Sequence, residues 1–414
     1  MKPIQVNEQL FGEAAFFQQE DRRAELGKML GFQRRRVVMG EGAVYNLADE
    51  CRRLNASKVF LVRDPGIEAL EQPVRWILDR EGIEITGRFT DIVPNPRVGG
   101  VDALAAAVSD ASCDAVIAIG GGSTMDTAKV GLCVATCGGS THDYFGFDQF
   151  DKPATWPLIA VPTTSGTGAE VSKVAVIVAE GVKQLVSSAR IEASVALVDP
   201  GLTRELPPAL TATTALDALG HALECMVSRK SNEIGEAVAR EALRAGLPSV
   251  ERAIAGGGKS SAARYQMSRC SLLAGLLLGP INTGAGHALG YGIEKVSLAK
   301  GRPVPHGSAV ALALPGVMRH NAARVAANYY YAAGVAGIDL SGSSVEEGAE
   351  LAADHVDSLR RRHTAFGSLT SAGLDETDIP EMVEVGLRIR RLLEPNPVEL
   401  TPEQAELIYR DVLL

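Results

Sequence analysis

Little in this chain marks it for nucleic acid, a membrane or an oxidising compartment. Basic residues are the minority, 41 Lys and Arg against 50 Asp and Glu, for a formal net charge of −9. A surface that neutralises phosphates needs clustered Lys and Arg, and the compact basic run FQRRRVV reads instead as the solvated edge of a strand. The six cysteines, Cys51, Cys113, Cys133, Cys137, Cys225 and Cys270, show no CxxC spacing and sit mostly in apolar contexts, as reduced core thiols do. A cytoplasmic location is therefore expected. The first 36 residues carry charges throughout and no apolar stretch, so no signal peptide is expected. One membrane-like run, Cys270 to Ile293, lacks Asp, Glu, Lys and Arg, yet it holds six Gly, Pro280, Asn282 and His287. It reads as a buried helix leading into a functional centre.

At 414 residues the chain is too long for one ordinary core, and two domains are expected. Residues 1–31 read as an N-terminal helical extension, amphipathic around FFQQEDRRAELGKML. From Phe32 strands and helices alternate: RRVVMGEGAV, a helix through ECRRLN, the strand KVFLV, a further helix and strand, then VPNP, a helix over 97–111 and the strand AVIAIG. PLIAVPTT, VAVIVA and VALVDP close this half. The alternation predicts an α/β domain over 32–205 with a parallel sheet covered on both faces. The proline-bearing stretch 199–213 marks the boundary, and 206–414 reads as an all-helical domain whose last helix is capped at Thr401.

Histidine is scarce, seven in all, and three of the seven fall in the least charged part of the chain. In ALDALGHALE, Asp217 and His221 stand at i and i+4, so on a helix both point from one face into one small volume. His287 lies among Gly284, Gly286, Gly290 and Gly292, and His306 lies between Pro305 and Gly307 at a helix start. A single His in an apolar stretch is more often a packed core residue than a ligand. Three imidazoles and a carboxylate buried without a shared partner would, however, be costly. The set suits a divalent first-row metal, Zn or Fe(II) foremost.

The strand AVIAIG runs directly into Gly120, Gly121, Gly122 and Ser123 and then a helix. Glycines at such a turn leave backbone N–H groups bare at a helix N-terminus, where a pyrophosphate binds favourably. This is not GxGxxG, and three glycines are often only a tight turn. A second strand end, with Thr163, Thr164 and Thr167, adds hydroxyls at the same carboxyl edge of the sheet, where ligands sit in open α/β folds. Asp64, at the end of its strand, is placed to accept from a ribose diol and to repel a 2′-phosphate, so NAD(H) is expected over NADP(H).

Taken together, GGGSTMDTAK, PTTSGTGAEVS, LDALGHALE, PHGSAVALALPGVMRHN and the terminal NP…LT…E pattern resemble the iron-containing (group III) alcohol dehydrogenases from about residue 32 onward. Glycerol dehydrogenases and dehydroquinate synthases share that fold. The resemblance implies a dinucleotide-binding α/β domain with a parallel sheet, an all-helical C-terminal metal-binding domain, and a divalent metal held by Asp217, His221, His287 and His306. Iron is the first expectation and zinc the second. Asp64, Asn95, Gly120, Gly121, Gly122, Ser123, Asp126, Thr163, Thr164, Thr167 and Lys183 are the expected cofactor contacts. Family members commonly read HxxxHxxG, the first His a ligand and the second near the nicotinamide. Here His287 is followed by Tyr291, and the stretch to His306 is longer than usual. His287 and Tyr291 are the expected catalytic residues, Tyr291 as a neutral phenol that relays or orients a proton.

The expected reaction is hydride exchange between a nicotinamide and a small alcohol or aldehyde whose oxygen the metal polarises. A homodimer or higher homo-oligomer is expected, with neither a nucleic-acid nor a membrane partner. Two rivals remain. A sugar-phosphate cyclase or lyase of the dehydroquinate synthase type would need several cations about the site, and the metal-bearing segments offer Lys295, Lys300 and Arg302. A non-catalytic metal- or nucleotide-binding protein is the other.

Overall fold

The computed structural model describes residues 36–256 and 260–414, so the helical extension expected over 1–31 lies outside the described residues. Six strands, β1 (Arg36–Met39), β2 (Lys58–Arg63), β3 (Glu84–Phe89), β4 (Ala115–Gly120), β6 (Leu158–Pro162) and β9 (Val195–Val198), form one sheet in the order β1-β9-β6-β4-β2-β3. All its neighbours pair in parallel. The central strand β4, AVIAIG, is buried along its whole length, as a run without polar alternation should be when helices cover both faces. Helices α1 (Leu47–Arg53) and α2 (Glu71–Arg80) cover one face through Leu47, Ile77 and Leu78. On the other, α3 (Val98–Asp110) and α4 (Gly122–Cys137) pack Leu104, Val108, Met125 and Leu132.

The remaining strands depart from the expected single sheet. VAVIVA does not join it: β7 (Val174–Ala179) pairs antiparallel with β8 (Val182–Ser187), and β8 pairs with the short β5 (Gly146–Phe147). Glu180 and Gly181 cause this, because both adopt positive φ, 51° and 76°. Such a two-residue connection matches the twist of an antiparallel hairpin. The hairpin carries Lys183 outward from the sheet half toward the helices.

From Pro208 the described chain is helical: α5 (Pro208–Val227), α6 (Glu233–Gly246), α7 (Val250–Ala255), α8 (Ser261–Leu278), α9 (Ala285–Ala299), α10 (His306–Val335), α11 (Val345–His363), α12 (Ile379–Arg388), α13 (Arg390–Leu393) and α14 (Pro402–Asp411). The run 270–293 is two helices, not one. Pro280 lacks the N–H a helix needs, Asn282 sits at φ 74°, and α9 starts afresh after Gly284. This break turns His287 toward α5. Among the described residues no helix is long and apolar enough to cross a membrane. The halves touch closely where a Cβ on Gly275 of α8 would stand 2.7 Å from the Cα of Gly168.

Candidate metal centre and cofactor edge

Asp217 and His221 share the buried face of α5, one turn apart, with 3% and 5% of their surfaces exposed. His287 lies in the first turn of α9 and His306 is the first residue of α10. Gly307 is what lets α10 begin there: any Cβ on it would collide with the carbonyl oxygen of Thr213 on α5. The result gathers three imidazoles around one carboxylate oxygen. The Nε2 atoms of His221, His287 and His306 stand 3.7, 3.6 and 3.6 Å from Asp217 Oδ1. Asp217, His221 and His287 form the tightest set, with donor atoms all within 4.8 Å of one another. His306 is the most open of the four, its side chain 25% exposed.

These separations are too long for hydrogen bonds, and Asp217 Oδ1 and His287 Nε2 are buried with no hydrogen-bond partner. Buried polar atoms are rarely left so. Four donors at about 2.1 Å from a tetrahedral ion stand roughly 3.4 Å apart, so the spacing fits a shared cation.

Two carboxylates that sequence reasoning missed complete the centre. Glu224 Oε2 bonds His287 Nδ1, and Glu294 Oε1 bonds His306 Nδ1. Occupying Nδ1 leaves each Nε2 lone pair free for the centre, the usual way a ligating imidazole is oriented. Glu224 does more, because its Oε1 accepts from Gly286 N at 2.6 Å and so caps α9, whose N-terminus has no side-chain cap of its own. A Cβ at Gly286 would stand 2.9 Å from that oxygen. Asn396, from the terminal NP motif, accepts from Ala285 N at 3.3 Å and steadies the same turn. The available signal was spacing: Glu224 follows Asp217, and Glu294 follows His287, by seven residues, two turns along one helical face.

Charge in the centre is mutually adjusted. Burial pushes Asp217 up, but His221, His306 and His287 outweigh it and hold the carboxyl well below its usual range. Burial brings His221 down to about 4, so it is neutral. His287 is opposed by burial but raised to about 9 by Glu224 and Asp217, so a cation bound there would displace the proton from its Nε2. Burial likewise opposes Glu294, which Lys183 and His306 bring down to about 2.

The cofactor residues expected from sequence gather at one sheet edge, with exceptions. Gly120 pairs in register with Pro162, and Thr163 N donates to Gly120 O at 2.9 Å, which seats the two loops side by side. A Cβ on Gly121 would meet Thr164 at 3.3 Å and one on Gly122 would meet Thr167 at 2.8 Å. Ser123 follows in the first turn of α4, which carries neither an acidic residue nor a side-chain cap. Asp64 directly follows β2, the neighbouring strand, its Oδ1 accepting from Gly66 N at 2.8 Å. The sheet winds outward to β3 after β2 and the other way through β6 and β9 after β4, so the edge between β2 and β4 is its topological switch point. Asn95 stands apart, exposed at φ 56° between β3 and α3. Asp126 is engaged in packing: Oδ2 accepts from Val176 N at 2.9 Å, and Lys129 is 3.3 Å from Oδ1.

Lys183 reaches across to the helical half and forms an ion pair with Glu294. Its ammonium also lies 5.5 Å from the centre of the Tyr291 ring. Tyr291, one turn after His287, stands 5.3 Å from the His306 ring between centroids. Burial raises the phenol above its ordinary value despite Arg391 and Lys183, so it stays protonated at neutral pH.

With this geometry in hand, the likenesses to known proteins are specific. Residues 34–200 match the family model of the iron-containing alcohol dehydrogenases, and 211–413 match the C-terminal model of the same family. A choline dehydrogenase of Bacillus subtilis is 34% identical over 386 residues, covering 90% of this chain and 92% of that one. Among solved structures, a 1,3-propanediol oxidoreductase superposes with a TM-score of 0.86 at 30% identity, covering 93% of this chain and all of the other. The sulfoacetaldehyde reductase of Bifidobacterium kashiwanohense, solved in complex with NAD+, superposes with a TM-score of 0.80 at 28% identity over 93% of this chain and 99% of its own. The chain belongs to the iron-containing alcohol dehydrogenase family, oxidoreductases that act on CH–OH groups.

Proposed function

We propose that the chain is an NAD(H)-linked alcohol dehydrogenase and aldehyde reductase that uses one divalent ion held by Asp217, His221, His287 and His306. One observation carries the reading: three Nε2 atoms surround a buried, unpartnered Asp217 Oδ1, and carboxylates occupy Nδ1 of two of the imidazoles. Iron accords with the family, and zinc suits the same donors. When bound, such an ion supplies Lewis acidity to the substrate oxygen.

The chain's own residues bind and orient. The side-chain-free turn Gly120–Gly122 and Ser123 offer the α4 N-terminus to a pyrophosphate, Thr163, Thr164 and Thr167 add hydroxyls, and Asp64 accepts from the ribose diol. Asn95, set apart from the sheet edge, and Lys183, turned to the helical half, are the remaining proposed cofactor contacts. Asp126 serves that edge from behind by holding α4 to β7. His287 holds the ion, while Tyr291, protonated and beside His306, is placed to pass or orient the proton that accompanies hydride transfer. Residues 32–205 act in this reading as the cofactor domain and 206–414 as the metal domain.

The dehydroquinate synthase alternative gains nothing from the three cations first considered. Lys295 pairs with Glu381, Lys300 with Asp378, and Arg302 lies against Gly373. A homo-oligomeric, cytoplasmic enzyme is part of the proposal, and six unpaired thiols support the reducing compartment.

The test is NADH formation by chelated protein reloaded separately with iron or zinc, measured against a panel of alcohols. Turnover restored by metal, and stronger with NAD+ than with NADP+, is expected. Equal turnover by metal-free protein would refute the reading.

A further inference from the structure

The three carboxylates of the site are all engaged. Asp217 faces the imidazoles, Glu224 serves His287, and Glu294 is shared by His306 and Lys183. None is left for Arg391, which the chain brings in from α13, far along the sequence. Its guanidinium carbon lies 6.0 Å from the centre of the Tyr291 ring. Among the described residues Arg391 has no carboxylate within ion-pair distance, while most other arginines of α10 to α14 pair with one. Asn282, in the break before α9, donates to the Arg391 carbonyl at 3.4 Å and ties this segment to the one bearing His287.

A half-buried guanidinium that no described carboxylate pairs with is available to an anionic ligand. The His306 ring and the Arg391 guanidinium lie 5.3 and 6.0 Å from the centre of the Tyr291 ring, so a short chain lying along that ring could reach both. We propose that Arg391 is a substrate-binding residue that takes the anionic end, a carboxylate, sulfonate or phosphonate, of a small aldehyde or alcohol whose oxygen lies at the metal centre. The planar fork of Arg suits a bidentate oxyanion. The same guanidinium charge disfavours a cationic substrate. This rests on the dehydrogenase reading and supplies its substrate class.

The experiment compares kcat/KM of the metal-loaded enzyme with NADH for 4-oxobutanoate, butanal and the cationic betaine aldehyde. The wild type is expected to prefer 4-oxobutanoate over butanal by roughly tenfold or more, with betaine aldehyde last. In Arg391→Ala the preference should collapse toward unity through a raised KM for 4-oxobutanoate, and Arg391→Lys should recover part of it. A structural role for Arg391 would lower turnover of both aldehydes alike and leave their ratio intact, which overturns the proposal. Butanal reduced as well as 4-oxobutanoate by the wild type also overturns it while leaving the dehydrogenase reading in place. Reduction of no aldehyde by metal-loaded protein overturns both.

Discussion

The metal centre and the glycine turn are built on opposite principles. The centre is made of side chains: four donors from three helices converge on a point, and carboxylates hold two of the imidazoles from behind. The turn is made of missing side chains, since a Cβ at Gly120 would collide with Thr124 and one at Gly122 would stand 2.8 Å from Thr167. One site fails when an atom is removed, the other when an atom is added. Substitutions should therefore separate metal content from cofactor affinity.

His287→Ala should have the largest effect. It removes a ligand and leaves Glu224 buried without its imidazole, so metal content and NAD-linked turnover should fall together, the latter by about 1,000-fold or more. Folding should survive, as judged by circular dichroism, because the core clusters of the helical half do not include this side chain. Glu224→Gln keeps the shape but weakens the acceptor behind His287. Metal affinity should drop ~10- to 100-fold by competition against a chelator. Wild-type affinity in that variant would mean that Glu224 only caps α9.

The glycine turn should give the converse result. Gly122→Ala forces a shift against Thr167 and should raise the KM for NAD+ by about tenfold, with metal content unchanged by elemental analysis. Loss of metal there would show that the two sites are not separable. Tyr291→Phe should lower kcat by about tenfold while metal content is retained, if the phenol passes a proton. Unchanged kcat would reduce the ring to packing. Asp64→Gly should change least, narrowing the NAD+ over NADP+ preference several-fold. A wild type equally efficient with both cofactors would remove the role of its charge.

The same contrast explains what was legible in the sequence. Asp217 and His221 could be read because i and i+4 residues share a helical face whatever the packing, and the scarcity of His singled out His287 and His306. Gly120–Gly122 and Thr163–Thr167 could be read because each directly follows a buried apolar strand. Glu224 and Glu294 could not, because Glu is common in helices and its role depends on which neighbour its face meets. Arg391 was hidden for a further reason: only the packing of α13 against α9 brings it to Tyr291. The β7–β8 hairpin went unread because VAVIVA looks alike in parallel and antiparallel sheets, although Glu180-Gly181 carried the turn. The break at Pro280 was masked by the apolar residues on either side.

The most direct test of the central claim is elemental analysis of metal-stripped protein after reloading, for the wild type and for Asp217→Ala, His221→Ala, His287→Ala and His306→Ala in parallel. One tightly held divalent ion per wild-type chain is expected. Each variant should lose it, His306→Ala least completely because His306 is the most open of the four. Full retention of the ion by His221→Ala and His287→Ala would contradict the account.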